Sequence, residues 1–114
     1  MNQILEQQRA YERRQLTALG EELTARGITT VLLVDQNQRL ALDVVDSKFR
    51  TRRIHVHLSF WWFYWGDQAD ERVSCLRLRK AALFVEAAAQ AGWRDGEQAD
   101  LIVDLRKIAD AYHS

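Results

Sequence analysis

The amino-acid sequence predicts an α+β fold: a helix, an antiparallel meander of three or four strands, then two helices, with residues 1–114 forming one domain. Three observations lead there. A proline-free stretch over 3–25 carries its apolar residues at helical spacing, the middle of the chain alternates apolar with polar residues, and helical spacing returns after residue 76. No helical run separates the strand-like segments, so they are expected to pair antiparallel, without crossovers.

In the first segment Ile4, Leu5, Tyr11, Leu16, Leu19 and Leu23 share one broad helical face. Gly20 costs that helix about 1 kcal/mol relative to alanine and marks a point for a kink or fraying. Gly27, after Arg26, supplies the left-handed residue that closes it.

The runs ITTVLLVD (28–35) and RLALDVVD (39–46) flank Gln36, Asn37 and Gln38, which is the pattern of a hairpin with a three-residue loop. Pairing 34 with 40, 32 with 42 and 30 with 44 gathers Val34, Leu40, Leu32, Leu42 and Val44 on one side. A slip by one residue would set Leu32 against Asp43 and mix core with solvent.

The stretch RRIHVHLSFWWFYWG (52–66) organises the rest. Its even positions Ile54, Val56, Leu58, Phe60, Trp62 and Tyr64 are apolar, and its odd positions pass from Arg53, His55, His57 and Ser59 to Trp61, Phe63 and Trp65. Continuing the core face pairs Val44 with Ile54, Leu42 with Val56 and Leu40 with Leu58, and sets Asp43 opposite His55. Strands rarely exceed about ten residues, so a bend or bulge is expected near Ser59.

Residues 66–70 form a turn, and ERVSC (71–75) returns as a short strand with Val73 near Phe63 and Cys75 near Trp61; the alternative is that Ser74 caps the next helix. That helix is expected from residue 78 to Gly92, with Leu76, Leu83, Phe84, Ala87, Ala88 and Ala91 on its buried stripe. A last helix over 98–112 is expected from Leu101, Ile102, Leu105, Ile108, Ala109 and Tyr112, with Arg106 and Lys107 late, where the helix dipole favours them.

Composition narrows the function. Sixteen basic and sixteen acidic residues leave no net charge to draw the protein to nucleic acid or anionic membrane, so such binding must be local. A lone cysteine, Cys75, and a polar N-terminus without a signal-peptide core point to a cytoplasmic protein, and no apolar run approaches the roughly 20 residues of a membrane span. No internal repeat is evident. There is no glycine-rich phosphate loop, no nucleophile beside a base and no paired carboxylates, so a binding role is expected rather than catalysis, with no cofactor.

Three surfaces are candidates. The first is the aromatic face of Trp61, Phe63, Trp65 and Val73; large rings left bare by the helices would form the seam of a homodimer, or take another protein partner. The second is the basic run Lys48, Arg50, Arg52 and Arg53, beside rings able to stack bases. The third is His55 and His57, two imidazoles on one strand face with Asp43 across the hairpin, a pattern open to a metal or small ligand.

The order helix, three strands, helix over roughly residues 3–91 resembles the double-stranded RNA-binding domain, whose basic cluster at the second helix would correspond to Arg77, Arg79 and Lys80. That resemblance implies nucleic-acid binding. The same order in a small homodimer is also similar to secretion chaperones that wrap an unfolded segment, although the strand pair expected before the last helix is missing.

Overall fold

The computed structural model of the chain describes residues 3–94. Helix α1 (Gln3–Ala25) leads into strands β1 (Thr30–Val34), β2 (Leu40–Val45), β3 (Thr51–His57), β4 (Trp62–Tyr64) and β5 (Arg72–Ser74), and helix α2 (Leu78–Ala91) follows. The strands form one antiparallel sheet in the order β1-β2-β3-β4-β5. The class is α+β, as the sequence predicts. The expected helix over 98–112 lies outside the described residues. No helix among the described residues is long and apolar enough to cross a membrane.

Leu16, Leu19 and Leu23 of α1 lie one helical turn apart, and this spacing presses them together onto Leu42, Val44, Ile54 and Val56 of the sheet. Gly20 lies among them, and α1 runs unbroken through it. A Cβ there would stand 3.2 Å from a Leu42 methyl, so the glycine lets β2 approach the helix rather than fraying it. Ile4 and Leu5 are exposed, so the buried face of α1 begins later than its apolar pattern.

The first hairpin has the expected register, with Val34, Leu32 and Thr30 opposite Leu40, Leu42 and Val44. The second departs from expectation by two residues. Leu42 faces Ile54, Asp43 faces Arg53 and Val44 faces Arg52. The cause is the loop. Asp35 accepts the backbone N–H groups of Asn37 and Arg39, and Asp46 accepts those of Lys48 and Arg50, in the same pattern. Both loops then place their third residue in the left-handed region, Gln38 at φ 64° and Phe49 at φ 61°. Asp35 to Arg39 and Asp46 to Arg50 are thus two copies of one D-x-x-x-R turn, a repeat invisible to the sequence reading but sufficient to set both registers.

The long aromatic stretch is two strands, not one. The chain reverses over Leu58 to Trp61, with Trp61 left-handed at φ 56°, so that His57 faces Trp62, Val56 faces Phe63 and His55 faces Tyr64. The four-residue loop exchanges the faces: Phe63 and Trp65 join Val56 in the core, whereas Trp62 and Tyr64 sit beside the histidines. Strand β5 returns as expected, with Val73 opposite Phe63 and the Cys75 N–H bonded to the Trp61 carbonyl.

Helix α2 is rotated from its expected orientation. It buries Ala81, Ala82, Val85 and Ala89, while Leu76, Leu83 and Phe84 stay exposed. Small residues on the buried stripe let α2 lie close beside α1 and β5.

Candidate interaction surface

Each sequence-predicted site residue has a definite place. Phe63 and Trp65 are fully buried, and the Trp65 ring meets Phe84 and Trp93 at centroid separations of 5.9 and 6.4 Å. The chain's own helices therefore cover this part of the proposed aromatic seam, because the β3 to β4 reversal turns those rings inward. Val73 is half-buried against the same core. Of that group Trp61 alone stays exposed, at the hairpin tip, with its ring edge on Tyr11.

The basic run is consumed internally. Arg50 bonds the Asp46 carboxylate at 3.1 Å and also donates to the Trp93 carbonyl. Burial by itself would raise the Asp46 carboxyl, but backbone donors from Arg50, Trp93 and Lys48 outweigh it and hold the group below the usual carboxylate range. Arg52 is buried on the core face, 3.5 Å from the Glu71 carboxylate and over the Trp93 ring. A Cβ at Gly66 would collide with that same Glu71 carboxylate, so a side chain there would have to displace it. Arg53 pairs with Asp43 at 2.9 Å. Lys48 remains exposed, as do Arg77, Arg79 and Lys80 at the start of α2. The stretch therefore presents no continuous cationic patch. With five strands in place of three, the order also departs from the RNA-binding and chaperone resemblances.

The histidine pair is equally engaged. The register shift takes Asp43 to Arg53, and His55 Nε2 instead lies 3.0 Å from Asp35 Oδ2, fully buried. Burial pushes His55 down to about 4, against the Asp35 hydrogen bond, and Asp35 itself is held below its ordinary value because its backbone and imidazole donors outweigh its burial. The pair is therefore a neutral imidazole donating from Nε2 to a carboxylate. His57 is half-buried, with the rings of Phe60, Trp62 and Tyr64 around it, and its pKa is lowered chiefly by burial. Among the described residues, no group of three or more His, Cys, Asp or Glu side chains is placed to hold a metal. Cys75 is buried, and burial pushes its thiol up to about 12, far from a nucleophile's range.

A surface that the sequence reading left aside is strand β1. It lies at the edge of the sheet, with Val31 and Val34 each 55% exposed and Leu32 37% exposed. The strand contains no charge, proline or bulge, the devices that ordinarily blunt an edge. Beside it a groove of about 490 Å³ opens between α1 and the sheet, walled by Leu16, Gly20, Thr24, Thr30, Leu32 and Leu42, with Glu21 the one charged residue at its lining. The available signal was the strand sequence TVLLV itself: four apolar residues in succession are too many for a strand with one solvated face and one neighbour.

Compared with protein-family models, with curated proteins and with solved structures, the chain matches none.

Proposed function

We propose that this chain is a small non-catalytic interaction protein that works as a homodimer. The observation that carries the reading is the edge strand: among the described residues, β1 leaves large apolar side chains exposed on both its faces, next to an apolar groove. For a chain of balanced charge, a second copy is the partner always at hand, and two-fold association is the commonest way to cover such a surface. Support for a role without catalysis comes from the polar groups. The arginines at 50, 52 and 53 and His55 are held in pairs with carboxylates, and the Cys75 thiol is kept protonated. Their arrangement orders loops and strands rather than converging on an open cleft. The test is sedimentation velocity of the untagged full chain over the micromolar range. A dimer is expected, and a single monomeric species at every concentration removes the reading.

A further inference from the structure

We infer that the partner at strand β1 is a second copy joined edge to edge, with Leu32 on the two-fold axis, so that two five-stranded sheets become one continuous sheet; this rests on the homodimer reading and specifies its seam.

The backbone geometry fixes which groups are open. Asp35 N–H donates to the Arg39 carbonyl and Val45 N–H to the Thr29 carbonyl, so the odd-numbered residues of β1 point their backbone groups at β2. The even-numbered residues Thr30, Leu32 and Val34 therefore turn their N–H and C=O groups toward the edge that no other strand among the described residues pairs with. An antiparallel copy centred on Leu32 sets Leu32 against the partner's Leu32 and Thr30 against the partner's Val34. Every open N–H then meets an open C=O.

The side chains agree with that register. On the helix-covered face Leu32 meets its own equivalent, and the partner's Val34 arrives beside Thr30, at the wall of the α1 groove. On the opposite face Val31 stands across from the partner's Leu33. Each exposed apolar residue of β1 gains an apolar or threonine neighbour, and the absence of charge on the strand means that self-pairing brings no like charges together. A strand whose two ends carried like charges would repel its own antiparallel copy; TVLLV carries none and is complementary to itself.

The experiment combines sedimentation of the full chain with amide hydrogen exchange resolved by NMR. The Leu32 and Val34 amides are expected to be protected at high concentration and to lose at least about tenfold in protection on dilution through the dissociation range, while the Leu33 amide, bonded to β2, does not change. Val31→Lys and Val34→Lys, both at exposed positions, should each yield a monomer with an unchanged circular dichroism spectrum, whereas Leu83→Lys on α2 should remain a dimer. A dimer that survives both β1 substitutions, with Leu32 and Val34 exchanging freely, overturns the seam while leaving the homodimer intact. A monomer with those amides free overturns both, and a monomer with them protected shows the edge covered by the chain itself, likewise excluding the proposed pairing.

Discussion

His55 shows how a single side chain couples the fold to pH. Its pKa is pushed down to about 4 by burial, whereas in an unfolded chain imidazole titrates near 6.5. Above pH 6.5 both states are neutral and the full stability is present. As pH falls below that value the unfolded chain takes up a proton that folded His55 refuses, so stability drops until the folded group also titrates near 4. The loss across that window is on the order of 3 kcal/mol. Urea denaturation at a series of pH values should show this decline, and His55→Gln should flatten it; an unchanged slope in the variant would contradict the assignment. A second residue-scale test concerns Phe49, which is 90% exposed yet left-handed. Asparagine tolerates that conformation, so Phe49→Asn is expected to raise stability by up to about 1 kcal/mol, read as a higher urea midpoint. Neither feature was legible in the sequence. The Asp35 partner of His55 depends on a register set by the D-x-x-x-R turn, and a phenylalanine gives no hint of a positive φ.

At the scale of elements, the outcome turned on how much information each hydrophobic pattern carried. Strand β2 sets Asp43 among apolar residues, so a one-residue slip against β1 is visibly wrong and the register of this hairpin was legible. From Leu58 to Trp65 every residue but Ser59 is apolar, so alternation carries no information and a reversal cannot be told from a continuous strand. The reversal also lacks Gly, Pro, Asn or Asp, and its left-handed position is a tryptophan. Helix α2 misled for a different reason. Its larger apolar residues form one stripe and its alanines with Val85 another, and packing against α1 selects the small stripe. Leu83→Ala is therefore expected to change stability by less than about 0.5 kcal/mol, while Val85→Ala, fully buried, costs about 2 kcal/mol. Chemical denaturation of the two variants decides between the stripes, and equal losses would return α2 to the orientation expected from sequence.

At the scale of the molecule, helices α1 and α2 pack on one side of the sheet, and among the described residues the sheet ends at an apolar edge instead of closing on itself. The α+β class was legible because the order of periodicities sets it. The open edge was not, since which strand ends a sheet depends on every register between. If that edge is satisfied by a second copy, association is linked to folding, and stability must depend on concentration. A tenfold rise in protein concentration then favours the folded dimer by about 1.4 kcal/mol. Two chains of this length unfold with an entropy of about 0.5 kcal/mol per kelvin, so the Tm should climb by about 3 °C for each tenfold increase. Val31→Lys, held as a monomer, should melt at a lower temperature that is the same at every concentration. The comparison separates two origins of stability that a single melting curve merges: contacts within one subunit, which dilution leaves untouched, and strand pairing between subunits, which dilution removes. A wild-type Tm that stays constant over a hundredfold range would mean that β1 adds nothing between molecules, and the apolar edge would have to be explained within one chain.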